Sequence, residues 1–119
     1  MLLADSYKAR LIDENSINKY NIPSALLMEN AGMRVADVAL ETGEENFVVV
    51  IGKGNNGGDG SVAARHILCN NKKVTLVLLT DENDLRGDGR LMFETAKSAG
   101  VCIVNGFTDE ARECIKNSD

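Results

Sequence analysis

At 119 residues, with 44% hydrophobic and 26% charged side chains, the chain has the size and composition of one globular domain and is too short for two. Its net charge of −5 and the lack of any Lys/Arg cluster argue against binding a nucleic-acid backbone. No apolar run approaches the roughly 20 residues that cross a bilayer, and the start lacks a basic-then-apolar signal segment, so no membrane association and a cytoplasmic location are expected.

Met1 to Tyr20 has helical composition, and the lone proline in Asn21-Ile22-Pro23 ends it. Ser24 is the expected N-cap of a second helix, without a full capping box because Leu27 stands at N3. Leu27, Met28, Ala31, Val35 and Val38 recur at helical spacing and form its expected core face, and Thr42-Gly43 closes it. Phe47 to Ile51 is short, continuous and β-branched, as expected of a central strand covered on both faces. A glycine-rich stretch, Gly52 to Gly60, follows directly. Gly58 or Asp59 then caps a helix to about Asn70, with Ala63, Ala64, Ile67 and Leu68 available for packing. Val74 to Leu79 is a second buried strand. Beyond the polar segment Thr80 to Arg86, a helical face of Met92, Thr95, Ala96 and Ala99 is ended by Gly100. Val101 to Val104 is a third strand, and Thr108 caps a last helix with Asp109 and Glu110 in its first turn.

Strands alternating with helices imply right-handed βαβ crossovers, hence a three-layer αβα, Rossmann-like parallel sheet. Three strands are few for such a sheet. Residues 1–119 are therefore expected to be a single domain that is incomplete and lacks its C-terminal half.

Cys69, Cys102 and Cys114 are widely spaced and form no C-x-x-C pair, so reduced, mostly buried thiols are expected. His66 is the only histidine, which leaves a zinc site or a Ser/His/Asp triad without support.

Chemistry concentrates in Gly52-Lys53-Gly54-Asn55-Asn56-Gly57-Gly58-Asp59-Gly60, which holds five of the chain's 11 glycines. Glycine permits positive φ and close approach of backbone to a ligand. Between a strand and a helix, such a loop aims free N–H groups and the positive end of the helix dipole at one point, which suits phosphate. Gly52-x-Gly54-x-x-Gly57 fits the dinucleotide fingerprint, and Asp81 follows the next strand where a ribose-binding carboxylate would stand or serves simply as a surface loop residue. Gly58-Asp59 replaces the Lys-Ser/Thr of a P-loop and excludes it. Asn55 and Asn56 either make the turn or contact a ligand. Asp59 would repel a pyrophosphate bound at the same point, and a nearby cation would resolve the conflict. Lys53 is a solvated loop lysine or a further positive charge.

These residues, with Val62 to Ile67 after them and Ile22-Pro23 and Leu27-Met28-Glu29-Asn30-Ala31-Gly32 before them, resemble the YjeF N-terminal domain family, whose enzymes are NAD(P)H-hydrate epimerases. The resemblance implies an isomerase of nicotinamide cofactor repair, interconverting the R and S forms of NADHX and NADPHX. It implies that Asn55, Asn56, Gly57, Gly58 and Asp59 line the substrate site and that Asn56 ligates a potassium ion. A partner ATP- or ADP-dependent dehydratase, fused or separate, would restore the S form to NAD(P)H. A homodimer is compatible with the resemblance. No catalytic acid or base is assigned, because family members carry an aspartate that also binds potassium, a glycine-rich phosphate turn and a later aspartate at the reacting centre in sequence past Asp119. Glu29 and Asn30 are expected to be helix polar groups satisfied against the neighbouring loop. The alternative is a non-catalytic nucleotide-binding or protein-interaction scaffold of the same fold, and a third reading is an ordinary NAD-binding domain that uses Asp81.

Overall fold

The alternating pattern of apolar strands and helical segments produces the architecture it predicts. The computed structural model describes residues 21–52 and 55–106, with the backbone alone at Asn55 and Asn56. In order these are α1 (Ser24–Leu40), β1 (Asn46–Ile51), α2 (Asn55–Cys69), β2 (Lys73–Leu78), a short 3-10 turn at Glu82–Asp84, α3 (Gly87–Ala99) and β3 (Cys102–Asn105). The helices expected over Met1 to Tyr20 and after Thr108 fall outside the described residues.

The strands form one parallel sheet in the order β1-β2-β3, with Val49 opposite Leu76 and Leu76 opposite Ile103. This is a Rossmann-like α/β fold. Right-handed crossovers into successive neighbours bring α2 and α3 onto the same face. There the main core gathers Ile51, Leu76 and Leu78 of the sheet with Ala63, Ala64 and Ile67 of α2 and Phe93 and Ala96 of α3. Each large side chain buried here contributes about 1.5–3 kcal/mol. The strand period of two sends Val48, Val77 and Val104 to the opposite face, where they form a smaller cluster.

Four expectations are corrected. Among the described residues β1 is an edge strand, and β2 is the central one. In β1 only Ile51 is buried, and Val50 is 47% exposed. The buried face of α1 is Met28, Gly32 and Ala36, while Ala31, Val35 and Val38 are exposed. The cause is close approach: a Cβ at Gly32 would lie 2.8 Å from the Asp59 carbonyl oxygen and would collide with Val62 of α2. Only small residues let the two helices meet there. In α3 the buried set is Gly89, Met92, Phe93 and Ala96, with Thr95 and Ala99 exposed. Cys69 and Cys102 are free and exposed rather than buried, and Cys114 lies outside the described residues. Gly100 ends α3 as expected, in the left-handed conformation with φ 99°.

Candidate ligand site at the end of β1

β1 delivers the chain to the carboxyl edge of the sheet, and α2 starts there at Asn55. Asn55, Asn56, Gly57 and Gly58 are thus the first turn of a helix, and Asp59 opens the second; the expected cap at Gly58 or Asp59 stands several residues too late. Lys53 and Gly54 lie outside the described residues.

The glycines of this helix serve proximity rather than unusual backbone angles, since none of Gly57, Gly58 and Gly60 has positive φ. Glycine inside a helix costs about 1 kcal/mol relative to alanine, so the packing must justify each one. A Cβ at Gly60 would stand 2.6 Å from Ile51 Cγ2 and 3.1 Å from Val49 Cγ1, so α2 rests directly on β1. At Gly58 a Cβ would stand 2.8 Å from Met28 Cε of α1 and 3.2 Å from Gly89 Cα of α3. At Gly57 it would strike the carbonyl oxygen of Gly52. The first turn of α2 is therefore wedged between the strand end and two helices.

Polar contacts hold the same junction. The buried Ser61 hydroxyl donates to the Gly57 carbonyl oxygen at 3.0 Å, securing the first turn. The Ser24 hydroxyl donates to the Asp88 carboxylate, tying the start of α1 to the start of α3. Ser24 is the first residue of α1 and does not cap it; Pro23 holds the N-cap position. Because α1 leads into β1, and α2 and α3 return from β1 and β2, all three helices begin at the carboxyl edge of the sheet. Their unpaired N–H groups and dipoles make this edge favourable for an anion.

The structure places the backbone of the Asn55–Asp59 stretch at the carboxyl end of β1, and Asp81 follows the neighbouring strand β2. The Asp81 carboxylate accepts the Asn83 backbone N–H at 2.8 Å and caps the 3-10 turn, the surface-loop alternative. Glu29 is satisfied by α2 rather than by a loop: its two carboxylate oxygens take Arg65 and His66, the latter at 2.5 Å. This also gives His66 a structural role. Met28, Ser61, Gly89 and Asp88 were not singled out for this junction from sequence, although Gly57-x-x-x-Ser61 and Gly32-x-x-x-Ala36 carry the helical spacing of small residues that marks it.

Among the described residues no group of three His, Cys, Asp or Glu could hold a metal ion. The side-chain donors of the Asn55–Asp59 stretch are amides and one carboxylate, with no imidazole or thiolate. That oxygen chemistry suits a hard cation and does not suit a transition metal.

The sequence profile of the family described as YjeF-related protein N-terminus matches residues 24–119. The chain is 42% identical over 102 residues to an NAD(P)H-hydrate epimerase of Pirellula staleyi, covering 85% of this chain and 45% of that protein. It is 37% identical over 105 residues to a bifunctional NAD(P)H-hydrate repair enzyme Nnr of Moorella thermoacetica, covering 84% of this chain and 20% of that one. The crystal structure of the yeast protein YNL200c shares the fold, with a TM-score of 0.77 and 22% identity over 97% of this chain and 51% of that chain. The chain spans less than half the length of the Pirellula relative.

Proposed function

The chain belongs to the family of YjeF-related protein N-termini, and from that premise we propose that it is the ligand-loop part of an NAD(P)H-hydrate epimerase, the isomerase that interconverts the R and S forms of NADHX and NADPHX. The observation that carries this reading is the wedged first turn of α2, where Asn55 to Asp59 start a helix at the carboxyl end of β1 and glycines admit no side chain. A pyrophosphate at that turn would meet backbone N–H groups and the helix dipole. Asn55, Asn56, Gly57, Gly58 and Asp59 form the substrate-binding set in this proposal.

Asn56 would hold a potassium ion through its amide oxygen. When bound, the ion would supply positive charge that offsets the repulsion between the Asp59 carboxylate and the substrate phosphates. The residues of this chain bind and orient; the proton donor and acceptor that invert the hydrated carbon are proposed to come from the remainder of a longer domain, of which residues 1–119 are the N-terminal part. The proposed setting is the cytoplasm, with an NAD(P)H-hydrate dehydratase as fused or separate partner. For the location, the structure contributes that no helix among the described residues is long and apolar enough to cross a membrane.

The test is calorimetric titration of the chain with NADHX in potassium chloride, followed by chromatographic assay of R-to-S conversion. Binding is expected for the chain alone, and conversion once it is joined to the part of the Pirellula relative that follows the matched stretch. If neither form binds NADHX, the reading fails and the non-catalytic scaffold of the same fold replaces it.

A further inference from the structure

The chain holds two Asn-Gly pairs, Asn56-Gly57 and Asn105-Gly106, and both stand at the carboxyl edge of the sheet. An asparagine before glycine can react with its own backbone. Glycine has no Cβ to hinder its nitrogen, which can therefore approach the asparagine side-chain carbonyl carbon and close a cyclic imide. In a folded chain the nitrogen must be able to give up its proton, and the bond from the asparagine Cα to its backbone carbonyl carbon must be able to turn.

The two pairs differ in both respects. Asn105 is the last residue of β3 and pairs with Leu78. The Gly106 N–H donates to the Leu78 carbonyl oxygen at 2.6 Å, so its proton is engaged and the peptide is held in the ladder. Gly57 is the third residue of α2, where backbone N–H groups have no acceptor inside the helix.

Helical geometry at Asn56 restrains its rotation, but that restraint sits close to the helix end, where fraying costs little. When Asn55 alone leaves the helix, Asn56 becomes the N-cap, a position that takes non-helical angles and favours asparagine. The close packing at Gly57, Gly58 and Gly60 lies after the bond that turns and is not disturbed. These three glycines also fall within the first six residues of α2, so propensity does little to hold its start.

We propose that Asn56-Gly57 is a site of self-modification at the ligand turn. The Gly57 nitrogen loses its proton and bonds to the Asn56 side-chain carbonyl carbon; the side-chain amide nitrogen takes up a proton and leaves as ammonia. Water then opens the imide at one of its two carbonyl carbons, giving aspartate or β-linked aspartate at position 56. Either product puts a carboxylate where a neutral amide stood, one helical turn before Asp59. The β-linked product also lengthens the backbone by one methylene, so α2 no longer starts in register. The reaction needs no substrate; its consequence rests on the epimerase reading, in which the new charge repels the substrate phosphates.

Peptide mapping by mass spectrometry tests it in the 119-residue chain held without ligand at mildly alkaline pH, beside the same chain in concentrated urea. In urea both asparagines are expected to convert at similar rates. In the folded chain Asn56 is expected to convert at least about fivefold faster than Asn105, the equilibrium factor of one backbone hydrogen bond. Aspartate and β-linked aspartate are both expected at position 56. Conversion of Asn105 as fast as Asn56 in the folded chain overturns the proposal, and so does aspartate without its β-linked isomer, because direct hydrolysis would then replace ring closure. With no NADHX in the experiment, neither outcome depends on whether the chain binds it.

Discussion

The sulfur end of Met28 fills the space that a side chain at position 58 would need, and Gly89 Cα lies 3.2 Å from the same point. Three helices thus share one contact point beneath the proposed ligand. Gly58→Ala gains up to about 1 kcal/mol in helix propensity but overpacks a contact whose one flexible member is Met28. A net loss of about 1 kcal/mol is expected in urea unfolding. Gly32→Ala meets Val62 and the Asp59 carbonyl, neither of which can swing aside. It is expected to cost about 2–3 kcal/mol. A Gly32→Ala variant as stable as Gly58→Ala would show that the interhelical contact yields easily.

Asn56 and Asp81 separate two ways of holding a dinucleotide. Asn56→Ala is expected to weaken NADHX binding by about tenfold or more, in line with about 1–3 kcal/mol for an interaction left unmade. Exchanging potassium for a large organic cation is expected to weaken binding by the native chain and to have little further effect in that variant. Asp81→Ala is expected to leave affinity unchanged, since the carboxylate is taken up by its own turn. The reverse ranking in calorimetry would favour an ordinary NAD-binding domain.

Glu29 bridges α1 to α2 through both Arg65 and His66, at partly exposed positions. Glu29→Gln preserves shape and removes the charge. Solvent screening limits the expected loss to about 1 kcal/mol at neutral pH, and to less in molar salt. Urea unfolding at two ionic strengths measures both effects. A loss that does not shrink in salt would mean that packing, not charge, is responsible.

Lys97 gives a small alkaline dependence. The hydrogen bond and charge of Glu82 hold its ammonium above the ordinary lysine value of 10.5. A folded-state value above the unfolded one stabilises fully below pH 10.5 and is lost as pH rises through the folded value. Lys97→Met is therefore expected to flatten the fall of stability above pH 10.5, with the native chain falling more steeply. Equal slopes for the two proteins in denaturation at successive alkaline pH values would remove the coupling.

The β-branched runs and the left-handed Gly100 were legible in the sequence because each depends on local chain physics. Which side of α1 is buried was not. Hydrophobicity points to Val35 and Val38, whereas the helix contact selects Gly32 and Ala36 for their small size. The β1 run reads as a central strand, and the described structure places it at an edge. Both mismatches arise because periodicity records where an apolar face belongs without recording which part of the protein covers it. In the site, the glycine-rich stretch and the identity of its residues were legible. Its helical conformation and its dependence on Met28 and Gly89 were not, since contacts between distant segments leave no local pattern.

The sheet register has a kinetic meaning as well. Val49 pairs with Leu76 and Leu76 with Ile103, so each strand pairing closes a span of 27 residues (76 − 49 and 103 − 76). Equal spans carry equal closure entropy, about 3 kcal/mol each from the length-dependent contribution alone. β2 can thus seat on either neighbour with no entropic preference for order. The glycine turn lies inside the first of these two spans, so closing that span brings it to the sheet edge.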